Sequence, residues 1–145
     1  MALSKEFILT LKQIKGFGTK SILAVADTVN CKIDSIDDLC NFWETLSGKK
    51  FAAVSQDELR YYHAKALQLL AYCEGKGIGV ISYFDSYFPQ MLRDCTSEEG
   101  KQDPPLILFY RGNLKALEKP GIAVIGTREP TANGVAAGLH FSKEL

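Results

Sequence analysis

The sequence predicts a helical domain followed by the opening strands of a Rossmann-like α/β domain. Two observations carry this prediction. Through residues 1–74 apolar side chains recur at helical spacing, whereas from residue 75 onward short apolar runs alternate with glycine and proline turns. The last run, residues 122–125, passes through Gly126 into a segment rich in alanine and glycine, as in the first strand and helix of a parallel sheet. We therefore expect two domains, residues 1–74 and 75–145, the second of them incomplete.

The composition is that of a folded protein of ordinary size. The chain has 145 residues, of which 46% are apolar and 23% charged, and its formal net charge is zero. These values exclude wholesale disorder and argue against a polybasic nucleic-acid binder. With no membrane-length apolar run and no basic leader sequence, we expect a cytoplasmic protein that does not enter membranes. The four cysteines lack paired spacing, so we expect free thiols, no metal site and no other cofactor.

The sequence predicts a compact first domain of four or five helices. Apolar spacing predicts helices over residues 3–14 and 19–29. Two more begin after Ser35 and Ser55, because an acidic residue stands three positions after each serine, as in a capping box. We expect the fourth helix to end near residue 73.

The fourth helix carries three tyrosines, Tyr61, Tyr62 and Tyr72. Aromatic residues at helical spacing usually face a core, so we expect a core role for them rather than a base-stacking platform. We expect His63 at the surface or as a cap, not as a ligand. The other residues expected to face inward are Leu59, Ala66, Leu69 and Leu70.

The second domain begins with short strands. Residues 80–84 and 106–110 are rich in aromatic and branched apolar residues, which predicts two strands. Residues 94–103 are polar and charged and predict an exposed loop. A third strand is predicted at residues 122–125.

A Gly-x-Gly turn between the first two helices is one candidate DNA contact. The layout is that of a helix-hairpin-helix, in which the glycine turn presents backbone N–H groups to a phosphate. On this interpretation Gly16 and Gly18 contact DNA, and Lys15 and Lys20 add positive charge beside them. The simpler interpretation, which the modest local charge favours, is a plain corner between two helices.

The turn after residue 125 is the main candidate site. The first N–H groups of the following helix lack partners within that helix, and the helix dipole adds positive charge, so an anion fits there. Thr127 supplies a hydroxyl donor, Arg128 a planar cation suited to phosphate, and Thr131 an N-cap. The spacing differs from the G-x-G-x-x-G dinucleotide motif. Both a phosphate site and a plain strand-to-helix connection remain open at this point.

Three motifs occur in a fixed order in the second half of the chain. They are F-P-Q-M-L at residues 88–92, D-P-P with L-F-Y-R-G-N within residues 103–113, and A-V-I-G-T-R at residues 123–128, followed by Pro130-Thr131 and Gly134. In this order and spacing they resemble the DNA-processing protein A family (DprA, also called Smf). Many members have a SAM-like or helix-hairpin-helix domain ahead of an extended Rossmann fold. The resemblance therefore implies the N-terminal portion of a longer protein.

The resemblance implies a recombination mediator without catalytic residues. Members bind single-stranded DNA, protect it during natural transformation of competent bacteria and help load the RecA recombinase; we expect a homodimer in the full-length protein. Carried over by position, Gly126 and Thr127 contact phosphate and Arg128 is the main cationic contact, with Thr131 beside them. The rest of the family's DNA pocket lies beyond residue 145, so this chain alone should bind single-stranded DNA weakly.

Two other functions stay open from the sequence. A Rossmann-like turn can hold a nucleotide for hydrolysis, but only Glu129 is adjacent as an acid or base, so we do not expect an enzyme. The helical domain can instead dock a protein, through the basic residues 1–32 or the acidic residues 34–58.

Overall fold

The computed structural model of the protein describes residues 3–46, 48, 51, 53–119 and 125–144. Contacts divide the chain into two compact units, Met1–Gly112 and Asn113–Leu145. The elements of the first unit are α1 (Lys5–Gln13), α2 (Thr19–Thr28), α3 (Ile36–Thr45), α4 (Gln56–Gly75), β1 (Gly79–Ser82), α5 (Gln90–Arg93) and β2 (Ile107–Tyr110). The second unit contains the 3₁₀ helix η1 (Leu114–Glu118) and α6 (Ala132–Glu144).

Helices α3 and α4 begin at the two predicted capping boxes. Ser35 Oγ accepts the N–H of Asp38 at 3.1 Å, and Asp38 Oδ2 accepts the N–H of Ser35 at 3.0 Å. At α4, Ser55 Oγ accepts the N–H of Glu58 at 3.2 Å, and Glu58 Oε2 accepts the N–H of Ser55 at 3.0 Å. Each box satisfies N–H groups that a helix cannot pair internally, so each fixes where its helix starts.

The core of the first unit is built around α1, which packs mainly along α4. Leu106, next to β2, is buried in the same core as the helical residues, so the hairpin and the helices pack together. The predicted domain boundary between residues 74 and 75 lies inside this compact unit and stays a prediction. The buried core residues are Leu3, Phe7, Ile8, Leu11, Ile14, Phe17, Ile22, Val25, Ala26, Leu39, Cys40, Phe42, Trp43, Leu59 and Leu106.

The sheet formed by the described residues has two antiparallel strands. β1 pairs with β2 in a register that sets Gly79 opposite Tyr110 and Ser82 opposite Ile107. A Cβ added at Gly79 would overlap the ring of Tyr110, so glycine lets that ring lie across the strand. The two predicted strands are therefore confirmed, each within one or two residues at its ends.

Most of the predicted third strand lies outside the described residues, which leave out residues 121–124. Its last residue, Ile125, is described; it belongs to no strand and is 93% exposed. The expectation of a buried strand end is thus wrong at Ile125, because no described residue covers its side chain. The Rossmann-like arrangement stays a prediction.

Arg93 holds the turn that connects β1 to α5. Its Nη2 donates to the carbonyl oxygen of Asp85 at 2.5 Å, and its guanidinium lies 5.2 Å from the Tyr83 ring and 5.4 Å from the Phe88 ring. Asp85 Oδ2 in turn accepts the N–H of Ser82 at 2.7 Å. Phe88, the first residue of the F-P-Q-M-L motif, is buried. This residue of the motif therefore stabilises the turn.

The outward side of α4 corrects one prediction. Leu59 and Ala66 are buried as expected, but Tyr61, Leu69 and Tyr72 are exposed. The physical reason is that α4 packs on one side only, mainly against α1, which leaves its opposite side in solvent. In the described part of the chain no helix, α4 included, is both long and apolar enough to cross a membrane.

His63 is neither a surface residue nor a cap. Its ring stacks on Phe7 with centroids 5.3 Å apart, and its Nδ1 lies 3.3 Å from Thr10 Oγ1. Burial lowers the pKa of His63 below its ordinary value, and the nearby charge of Glu6 opposes that change. His63 therefore joins α4 to α1 as a half-buried ring.

The four cysteines are free thiols, as predicted. Cys40 and Cys73 are buried, whereas Cys31 is exposed. Burial raises the pKa of the Cys40 thiol, which keeps it protonated and unreactive. Among the residues that the structure describes, no three His, Cys, Asp or Glu side chains form a group that suits a metal ion.

Candidate nucleic-acid interface

Thr131 caps the helix that follows the candidate turn. Its Oγ1 accepts the N–H of Gly134 at 3.2 Å, and its carbonyl oxygen accepts the N–H of Val135 at 3.0 Å. The predicted N-cap is thus confirmed. The N–H groups of Ala132 and Asn133, at the start of α6, have no acceptor among the described residues. These donors are the ones that an anion at a helix N-terminus receives.

Thr127 and Arg128 lie just before this cap, in a turn that is exposed over residues 125–131. Thr127 Oγ1 accepts the N–H of Glu129 at 3.4 Å, so its hydroxyl hydrogen remains available to donate. Arg128 forms no ion pair with any carboxylate in the described part of the chain. The turn thus combines an unpaired, planar cation with nearby hydrogen-bond donors.

The backbone of this turn does not itself require glycine at position 126. Gly126 has no positive φ, and a Cβ placed there would meet no heavy atom of the described residues within 4 Å. Gly134 has ordinary space as well, since its added Cβ would lie 3.5 Å from Thr131 Oγ1. A glycine without a conformational reason suits a place where a ligand approaches the main chain closely.

The Gly-x-Gly hairpin between α1 and α2 is anchored in the core. Gly16 has a φ of +82°, a conformation that favours glycine. Phe17 is 5% exposed, and its ring lies 5.5 Å from the Trp43 ring and 5.8 Å from the Phe51 ring. Gly18 precedes α2 and gives it no side-chain cap. The hairpin is therefore a packed corner whose central residue belongs to an aromatic cluster.

The structure brings two of the four predicted hairpin contacts to one cleft. Gly18 and Lys20 line a space of about 260 Å³ together with Ser97 and Asp103 of the following loop, whereas Lys15 and Gly16 do not line it. Lys15 and Lys20 are both exposed. The carboxylate of Asp103 opposes a phosphate in this cleft, because like charges repel. The arrangement favours the plain-corner interpretation.

Two tyrosines of α4 that the sequence pattern placed in the core form a third exposed feature. Tyr61 and Tyr72 face solvent, and each is followed four residues later by a lysine, Lys65 and Lys76. Residues four apart are neighbours on a helix, so the repeated Y-x-x-x-K pattern was the signal that these tyrosines share a side with charged residues.

Comparison with known proteins matches the second half of the chain to a family. Residues 79–145 match the family described as DNA recombination-mediator protein A. The resemblance predicted from the three motifs, which lie in this part of the chain, is therefore confirmed. A curated relative is the DNA processing protein DprA of Bacillus subtilis (strain 168), 32% identical over 95 residues, or 65% of this chain. The match spans 30% of that relative's length. No solved structure matches the chain.

The family match separates the candidate surfaces. The turn at residues 126–131 lies inside the matched region, whereas the Gly-x-Gly hairpin and α4 precede it. The turn is therefore the candidate surface to which the family match applies.

Proposed function

We propose that this chain is part of a recombination mediator and that the turn at residues 126–131 holds a backbone phosphate of single-stranded DNA. The observation that carries the proposal is the exposed guanidinium of Arg128, which has no ion pair among the described residues, close in sequence to the open N–H groups of α6. The family match supports it, because the matched region includes the whole turn.

Four residues of the turn have a part in this proposal. Arg128 pairs with phosphate oxygens through its planar fork, which can donate two parallel hydrogen bonds. Thr127 and Thr131 donate their hydroxyl hydrogens, while Thr131 also keeps the start of α6 in place through its bond to Gly134. Gly126 leaves room for the DNA strand to approach the protein main chain.

The partners follow from the family resemblance. In this proposal the complete mediator binds single-stranded DNA, delivers it to the RecA recombinase during natural transformation and acts as a homodimer. The chain spans 30% of the length of its curated relative. A single arginine and a few donors neutralise few phosphates, so we expect weak binding with a shallow salt dependence by this chain alone.

The test is binding of a fluorescent oligo-dT by the chain and its Arg128→Ala variant across a salt series. We expect binding to weaken by about ten- to a hundredfold, because hydrogen bonds to charged groups contribute about 1.5–3 kcal/mol. We also expect the slope of log affinity against log salt to become shallower by about 0.7, the value for one phosphate on a single strand.

Two further variants make the test specific. Arg128→Lys keeps the charge but loses the planar fork, so it should retain the salt slope and only part of the affinity. Lys115→Ala removes an exposed cation of η1 in the same unit and should change neither quantity by as much. If Arg128→Ala matches the parent chain in affinity and slope, the turn does not hold phosphate.

A further inference from the structure

The outer side of α4 carries two tyrosine–lysine pairs, Tyr61 with Lys65 and Tyr72 with Lys76, which we name the Tyr–Lys stripe. The tyrosines are 56% and 60% exposed. Lys65 Nζ lies 4.4 Å from the centroid of the Tyr61 ring, and Lys76 Nζ lies 5.9 Å from that of Tyr72. The same arrangement of ring and cation thus occurs twice along one helix.

The two pairs lie on one side of the helix. Residues 61 and 72 are separated by three turns and about 20°, which places them on the same side and about 16 Å apart along the axis. The buried residues of α4, Leu59, Ala66 and Cys73, lie on the other side. The stripe is therefore not part of the buried core, although the Tyr61 ring lies 5.5 Å from the ring of Tyr62, which packs on that core.

The two lysines of the stripe are open to a partner. Lys65 and Lys76 are exposed and form no ion pair with a carboxylate in the described part of the chain. The acidic residues of α4 are Asp57 and Glu58, in its first turn, and Glu74, near its end. Each lysine of the stripe therefore offers a cation to a partner with negative charge.

Rings interleaved with cations suit one kind of partner in particular. Proteins that hold single-stranded nucleic acid stack bases on exposed aromatic rings and neutralise the backbone with nearby basic groups. A spacing of about 16 Å separates the rings enough for two bases that are not adjacent on an extended strand. Acidic protein surfaces would engage the lysines but give no comparable use to two solvent-facing rings.

We propose that the Tyr–Lys stripe is a second contact surface for single-stranded nucleic acid. Tyr61 and Tyr72 stack on bases, and the ammonium groups of Lys65 and Lys76 turn from the rings to the adjacent phosphates. This surface goes beyond the proposed function, because it lies in the first compact unit and ahead of the family-matched residues 79–145. It does not depend on Arg128.

The experiment compares two ligands on the full chain: a fluorescent oligo-dT and an abasic oligonucleotide of the same length, which has the phosphates but no bases. Tyr61→Ala and Tyr72→Ala should each weaken dT binding about five- to tenfold, the lower range for loss of one stacked base, and leave abasic binding unchanged. Tyr72→Phe should retain dT binding, because the ring remains. Lys65→Ala should make the salt slope shallower by about 0.7 with both ligands.

Tyr87→Ala is the matched control. Tyr87 is 67% exposed and lies outside the stripe, so its loss should leave dT binding unchanged. Far-ultraviolet circular dichroism checks that each variant folds, which we expect because the replaced side chains face solvent.

Three outcomes would overturn the proposal. The first is no measurable dT binding at low salt. The second is an unchanged dT affinity when both stripe tyrosines are replaced, as a protein-docking surface would give. The third is an equal loss of affinity for the dT and abasic ligands when the tyrosines are replaced. The Arg128→Ala variant separates this proposal from the previous one. It should keep the tyrosine-dependent difference between dT and abasic binding even if the turn at residues 126–131 holds no phosphate.

Discussion

Phe17 should be the residue that holds the Gly-x-Gly hairpin in place, so we predict a large loss of stability for Phe17→Ala. The side chain is almost wholly buried, and its ring contacts both Trp43 and Phe51. Truncating a buried phenylalanine to alanine costs about 3–5 kcal/mol of unfolding free energy. Phe17→Leu keeps most of the buried area and loses two ring pairs worth about 0.5–1.5 kcal/mol each, so we expect a loss of about 1–3 kcal/mol.

The chain supplies its own probe for this measurement. Trp43 is its only tryptophan and is buried beside Phe17, with Nε1 donating to the carbonyl oxygen of Phe51 at 3.2 Å. Urea unfolding is followed by Trp43 emission and, independently, by circular dichroism. Phe109→Ala is the control, because Phe109 is half exposed on β2 and should cost about 1 kcal/mol. A Phe17→Ala loss no larger than this control would refute the anchored hairpin.

Two further predictions concern the first unit. Burial lowers the pKa of His63, so the folded chain favours the neutral ring and should lose stability as pH falls below about 6.5. The test is urea unfolding at about pH 7.5 and 5.5. The free energy of unfolding should fall less between these two pH values in His63→Phe, which keeps a ring but not the contact to Thr10. An equal fall in both proteins would contradict this. Gly79→Ala should cost about 1–3 kcal/mol because its Cβ overlaps the Tyr110 ring, and Tyr110→Ala should recover part of that loss, whereas Gly126→Ala should leave stability nearly unchanged. Additive losses at Gly79 and Tyr110 would show that the two residues do not clash.

Local chemistry explains why much of the fold was predictable. A serine followed three residues later by an acid satisfies its own helix start, so Ser35 and Ser55 mark α3 and α4 without reference to the rest of the chain. Thr131 caps α6 by the same kind of local hydrogen bond. Each of these interactions joins residues three positions apart, which a sequence displays directly.

The side of α4 that faces the core could not be predicted in the same way. Helical spacing groups residues on sides, but which side is buried depends on where α1 packs, and that is a tertiary contact. Tyr72 was therefore assigned to the core, and His63 to the surface, although the structure reverses both. The candidate turn was predicted because hydrogen-bond donors and a cation follow one another in the sequence there. Whether a phosphate binds to it depends on the complex and not on the chain alone.

Leu106 has a practical consequence for dissecting this protein. It lies fully buried among helical residues such as Phe7 and Leu59, and its carbonyl oxygen accepts the N–H of Tyr83 at 2.9 Å. Expressing residues 1–74 alone would remove Leu106 and expose the apolar side chains around it. We expect this exposed apolar surface to promote aggregation. A shortened protein meant to isolate the helices should therefore extend to residue 112, where the first compact unit ends.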